Sequence, residues 1–279
     1  MRRGITAVLV MGSLGALSGC GNSAIVADAV NRVPELLGEV QLTPPTTPSE
    51  HLVFLIPGIE GRAQTLAPVR EALRDAGVHA DVRTFNWTRP FGALDNLMNY
   101  SANRERAFRI AREIETFSLE HPCATIDVVG YSGGAGLAVF SLEELPETVR
   151  VRNVLLVQGA LSPFYDLTGA LRHVDGQLIN FHSPRDWFIL TAGTNVFGTM
   201  DRERLTAAGR CGFDLHAAGV PEELHARVRQ VEWTSAMRES GHRGNHGSIS
   251  GYRWNRDYVA PLLHAEESAA VETLALARN

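Results

Sequence analysis

Three cysteines in 279 residues, no dense basic run after the first three residues, no internal repeat and no long low-complexity tract remove several readings at once. A formal charge of -5 and an isoelectric point near 6.1 give no reason to expect nucleic acid as a partner. The apolar stretch Ile5 to Leu17 is too brief to span a bilayer comfortably. No G-x-G-x-x-G follows the first strand-like run, so nicotinamide chemistry is not expected. Carboxylates form no metal-binding cluster, and neither metal nor cofactor is expected. With 44% hydrophobic residues, the chain has enough to bury one large α/β core.

The most informative segment is Gly130-Tyr131-Ser132-Gly133-Gly134, a G-x-S-x-G pattern between a strand-like and a helix-like run. Such a turn holds a serine hydroxyl at the carboxyl end of a strand, with a helix N-terminus behind it. Five residues alone are a weak signal, so the neighbours matter. Ala124 to Val129 has the character of a short buried strand, and Ala135 to Leu145 that of a helix.

The same alternation runs through the chain. His51 to Ile56, Val78 to Phe85, Asn153 to Gln158, Gln177 to Phe181 and Gln230 to Thr234 are the other expected strands. Helical spacing links Leu66, Val69 and Leu73, and again Ala107, Ile110, Ala111, Ile114 and Phe117; Tyr252 to Ala277 closes the chain with one or two helices. Strict βα order implies a mostly parallel sheet of about six strands with helices on both faces. Functional residues then gather at the carboxyl ends of the strands.

In the order serine, acid, histidine, each after its strand, residues 51 to about 278 resemble an α/β-hydrolase. The resemblance implies Ser132 as nucleophile. The base follows the last strand, in Gly241-His242-Arg243-Gly244-Asn245-His246-Gly247, where His246 is preferred and His242 is the alternative. The acid follows the fifth strand. Asp186 in Phe181-His182-Ser183-Pro184-Arg185-Asp186-Trp187 is preferred, with Trp187 placed to cover it. Asp201 is the runner-up, also suited to capping a helix, and Asp166 and Asp214 trail. Backbone amides of Gly133 and Ile59 form the implied oxyanion hole, although Pro57-Gly58 stands where many relatives have His-Gly.

Candidate substrate contacts are Glu60, which alternatively caps a helix, Tyr131 beside the serine, and Trp87, Phe91, Leu94 and Leu97. The last four sit in a long, apolar βα loop that either walls an acyl groove or packs as a satellite core. Leu161 to Val174 is too short for a large cap domain. The resemblance implies a serine esterase acting on a small ester or acyl substrate. A thioesterase, lipase or peptidase on the same scaffold, or a non-catalytic binding module, stays open.

The amino terminus is similar to a bacterial lipoprotein signal. Met1-Arg2-Arg3 precedes the apolar stretch, and Leu17-Ser18-Gly19-Cys20 resembles a lipobox. Residues 1-19 would be the signal, Cys20 the lipidated residue and membrane anchor, 20-50 a proline- and threonine-rich tether, and 51-279 the folded domain. An ordinary secretory signal is the alternative, and either exports the protein. Cys123 and Cys211 would then form a disulfide or remain two buried thiols.

Overall fold

A computed structural model describes residues 50–87, 92–187 and 197–264. Six strands form one parallel sheet: β1 (His51–Ile56), β2 (Asp81–Thr84), β3 (Thr125–Tyr131), β4 (Asn153–Val157), β5 (Leu178–His182) and β6 (Val228–Glu232). Their order across the sheet is β2-β1-β3-β4-β5-β6. One row of the register runs Thr84, Leu55, Val129, Leu155, Ile179, Arg229. Parallel neighbours need crossovers, and helices supply them.

The crossovers bury both faces, which is why the central strands are apolar throughout rather than alternating. Successive residues still divide between two cores. Phe54, Val128, Leu156 and Leu178 face α3 (Tyr100–Glu120) and the helix that follows Ser132, α4 (Gly133–Glu143). Leu55, Val129, Leu155 and Ile179 face α1 (Ala67–Asp75) and the closing segment with Trp254 and Val259. A further helix, α2 (Gly92–Met98), precedes α3. Among the described residues no helix is long and apolar enough to cross a membrane.

Several boundaries differ from expectation. Strand β2 begins at Asp81 rather than Val78, because Gly77 (φ +81°) turns the chain and the amide of Val78 caps α1 through the carbonyl of Leu73. Strand β6 spans Val228–Glu232, two residues earlier than expected. It is the edge strand, and its side chains are only partly buried, so its pattern is weak. The closing segment is a chain of short turns: Tyr252–Trp254 is α-helical, Asn255–Val259 π-helical and Ala260–Leu263 3-10 helical. The remainder of that expected helix lies outside the described residues, as do the leader, Cys20 and most of the tether. Cys123 and Cys211 are both free and exposed, so neither a disulfide nor a buried thiol pair forms. One precedes β3 where the strands begin, and the other follows β5 beyond their carboxyl ends.

The longest connection between strands follows β5. Within it, residues 199–213 lie across the carboxyl ends of β4 and β5. Backbone hydrogen bonds from Met200 to Ala160, Ala208 to Leu161, Gly209 to Gly159 and Ser183 to Gly209 hold it there. No large cap domain stands on the sheet among the described residues.

Strand β3 and helix α4 meet backbone to backbone. A Cβ at Gly134 would collide with the carbonyls of Ile56 and Pro57, neither of which can move without breaking β1. Gly134→Ala is therefore expected to lower unfolding free energy by about 3 kcal/mol in urea titrations, whereas Gly247→Ala, with open space around it, should stay within about 0.5 kcal/mol of the parent.

Candidate active site

Ser132 sits between β3 and α4 with φ 53° and ψ -121°, a backbone conformation that non-glycine residues rarely adopt. Its amide donates to the carbonyl of Val157 at 2.9 Å, and its own carbonyl accepts from Ala160 at 3.1 Å, so β4 holds the strained turn in place. The hydroxyl side of the turn points to the carboxyl edge of the sheet.

His246 comes from the loop after β6, and Asp186 from the turn after β5. The Ser132 hydroxyl lies 2.8 Å from Nε2 of His246, and Nδ1 of His246 lies 2.6 Å from Oδ2 of Asp186. Three residues separated by up to 114 positions thus form one hydrogen-bonded chain. With the Asp186 carboxylate accepting from Nδ1–H, Nε2 is left free to accept from the serine. Asp186 is 2% exposed and His246 remains partly open to solvent. The same Oδ2 also accepts from the side-chain amide of Gln158, a residue that sequence reasoning missed. Gln158 has φ 43° at the end of β4, a signal visible only in the backbone.

A serine turn after β3, an acid after β5 and a histidine after β6, on a parallel sheet in the order above, decide the architecture. This is the α/β-hydrolase fold. No family model and no curated protein matches the sequence. Among solved structures, the chain is similar to a lipase-esterase related protein from Clostridium acetobutylicum, at 12% identity over 79% of this chain and 96% of that one, with a TM-score of 0.43. A mature Bacillus licheniformis lipase gives 12%, 81%, 98% and 0.47 on the same measures. A Mesorhizobium loti carboxylesterase gives 14%, 76%, 89% and 0.43. Likeness this distant carries no activity to this chain, whose chemistry must be read from its own residues.

The amides expected to receive an oxyanion lie together. Gly133 opens α4, where first-turn amides have no intrahelical acceptor. The amide nitrogen of Ile59 lies 3.4 Å from where a Cβ on Gly133 would stand, and that Cβ would collide with the Ile59 side chain. Glycine at 133 is what lets the two segments approach. Three contacts hold the Ile59 loop: Trp87 Nε1 donates to the carbonyl of Pro57 at 3.0 Å, the Trp87 amide to Gly61 at 2.8 Å, and Asn96 Nδ2 to Ile59 at 2.7 Å. Beneath them Asn103 bonds the carbonyl of Asn96, and Arg106 bonds both asparagines while stacking on Trp87.

That network corrects the expected substrate wall. Trp87 is fully buried and Leu97 nearly so; both pack under the loop and belong to the main core that covers this face of the sheet. Tyr131 points away from the site into the other core, its hydroxyl donating to Asn255 at 2.6 Å. Its side alternates away from Ser132, as strand geometry requires. Leu94 is 46% exposed, and Phe91 lies outside the described residues. One carboxylate oxygen of Glu60 accepts from Thr65 at 2.8 Å, and the other curls over Gly58, whose added Cβ would lie 3.3 Å from Cβ of Ser132. Trp187 is 60% exposed; Asp186 is covered by other residues, Gln158 and His246 among them.

The alternative acids are occupied elsewhere. Asp201 accepts from the amide of Ser162, Asp166 from Thr168 and Asp214 from Ala217. The alternative base, His242, is 2% exposed, stands edge-on to Trp254 and accepts on Nδ1 from the amide of Gly244 and from Ser248. Its four-residue spacing from His246 does not make a metal pair, since among the described residues no group of three or more His, Cys, Asp or Glu is set to hold an ion. Burial, rather than the neighbouring Arg243, pushes its pKa down to about 4, and the Asp186 charge only partly opposes this.

That depression has a sign. Between pH 6.5 and about 4 the unfolded chain protonates His242 and the folded chain does not, so acid favours unfolding. Burial lowers the pKa of His182 in the same direction. Urea titrations are expected to show stability falling by roughly 3 kcal/mol through this window from His242. The fall should shrink in His242→Gln.

Proposed function

We propose that the protein is a serine hydrolase that cleaves carboxylic esters through an acyl-enzyme. The observation that carries this reading is the continuous chain Ser132 Oγ, His246, Asp186, with contacts of 2.8 and 2.6 Å and the serine in a strained turn. A free hydroxyl is a poor nucleophile near neutral pH, and an imidazole that accepts its proton during attack removes that difficulty.

Ser132 Oγ attacks the ester carbonyl carbon while its proton passes to Nε2 of His246. Asp186 stabilises the imidazolium so formed. Charge developing on the carbonyl oxygen is received by the amides of Ile59 and Gly133, aided by the positive end of α4. Collapse breaks the bond to the alcohol, which leaves with the proton from Nε2, and the acyl group stays on Ser132. Water then repeats the steps and releases the acid. Glu60 at the rim and the exposed Leu94 are the substrate-facing side chains of this reading. They favour an open site and esters of modest size.

The leader belongs to the same proposal: Cys20 carries a lipid that holds the exported domain at a membrane surface, away from nucleic acid and without need of a cofactor. Labelled palmitate fed to an expressing bacterial host should enter the wild type and not Cys20→Ala; equal labelling of both would sink the anchor.

A fluorophosphonate probe tests the chemistry, because it labels a serine only where a base activates it and an oxyanion site receives the charge. Wild type should label and Ser132→Ala should not. Asp186→Asn is expected to slow hydrolysis of p-nitrophenyl acetate by about four orders of magnitude with little change in KM. A folded wild type that resists the probe overturns the acyl-enzyme.

A further inference from the structure

Beside the Gln158 side chain lies a small, partly enclosed cavity of about 10 Å³ whose lining includes Gln158, His182, Trp233, Met237, His242 and Trp254. Its size matches one water, which needs roughly 10–15 Å³ of this kind of space and two to four polar partners. Three buried polar atoms of the lining have no protein partner: Oε1 of Gln158, Nδ1 of His182 and Nε1 of Trp254. Buried polar groups in native proteins are almost always satisfied, so three orphans around one water-sized space call for a shared partner.

We propose that a single structural water occupies this cavity and, through Gln158, fixes how the Asp186 carboxylate is held. The proposal rests on the reading of Asp186 as the partner of a catalytic His246.

The donor and acceptor inventory fits one water. Trp254 Nε1 can only donate. His242 accepts on Nδ1 from the Gly244 amide, so the proton of its neutral ring is on Nε2, a second donor. His182 bonds the backbone of Arg210 in a way that favours its protonated form, so a ring N–H donates to the Arg210 carbonyl. Nδ1 is the nitrogen without a partner, which leaves it as an acceptor. Gln158 donates its Nε2 to Asp186, which turns Oε1 toward the cavity as a second acceptor. Two donors and two acceptors are the complement of a water molecule.

The count also chooses the orientation of the Gln158 amide. If the amide were flipped, its oxygen would face the carboxylate, and its NH2 would bring a third donor to a water with two lone pairs. Only the unflipped amide satisfies both sides. The backbone of Gln158 cannot easily escape the arrangement, since a φ of 43° is held by the bond from its amide to Phe181 and by Gly209, which packs directly on the Gln158–Gly159 peptide. Gln158 is thus a positioning residue: it touches neither substrate nor serine, but donates to the same Oδ2 that accepts from His246.

The first test is a crystal structure of the wild type at about 1.5 Å. It is expected to show one ordered water within about 3.2 Å of at least three of Gln158 Oε1, His182 Nδ1, His242 Nε2 and Trp254 Nε1. A dry cavity, or lining groups paired directly with one another, overturns the proposal. The second test is Gln158→Met, of similar volume and without either polar atom. Relieved of one donor, Asp186 should favour imidazolium more strongly, so the acid limb of kcat/KM for p-nitrophenyl acetate should move up by about half a unit while kcat falls about tenfold and KM holds. A profile superimposable on the wild type removes the positioning role. The functional reading fails separately, if the wild type does not take up a fluorophosphonate at all.

Discussion

The arrangement depends on how closely backbone meets backbone at the carboxyl end of β3. Gly130, Gly133 and Gly134 have no side chains to spare: a Cβ at Gly130 would lie 2.5 Å from the Gly134 carbonyl, and one at Gly133 would strike Ile59. Because the strand, the helix and the Ile59 loop all converge there, the serine between them is forced into a conformation that an ordinary loop would relax. Strain of this kind, of order 1–3 kcal/mol, survives only where the surroundings over-determine it. Here Val157 at the end of β4 and Ala160 just beyond it bond the residue on both sides, and the two cores fill the space above and below.

The rest of the site is built on the same plan, with backbone carbonyls held by buried side chains. Trp87, Asn96, Asn103 and Arg106 support the loop that carries Ile59, and Gln158 supports Asp186. None of these touches the serine. They act as struts, and each is a polar side chain whose burial is tolerable because its partners are in place. Apolar packing alone would leave the loop free to shift, whereas directed hydrogen bonds fix where the Ile59 amide stands relative to Gly133.

Much of this was legible in the residues. Strand β1 was read to its exact bounds because a fully buried strand is an unbroken apolar run, and the G-x-S-x-G turn became readable through the strand-like and helix-like runs on either side of it. Asp186 and His246 could be placed because the fold orders them along the chain, and the structure brings both to Ser132. The edge strands were found but with shifted bounds, since a strand such as β6 with side chains open to solvent has a diluted pattern. The apolar loop between β2 and α3 left two readings open, because composition cannot distinguish a side chain that points at a ligand from one that points under a loop. Tyr131 failed for a simpler reason, the two-residue period of a strand. Gln158 gave no signal, since one glutamine after a strand looks like any other until its backbone angle and its partner are seen.

The floor of the sheet has its own consequence. At the edge where the strands begin, buried Asp127 accepts from His51, Arg152 and the amide of Asn153, and Arg152 reaches on to the carbonyl of His264. The described part of the chain begins at this clamped floor, at Glu50 and His51. Ser132 opens at the other edge, the length of β1 away, about 20 Å. The described chain therefore enters the fold at one edge of the sheet and carries the serine at the other.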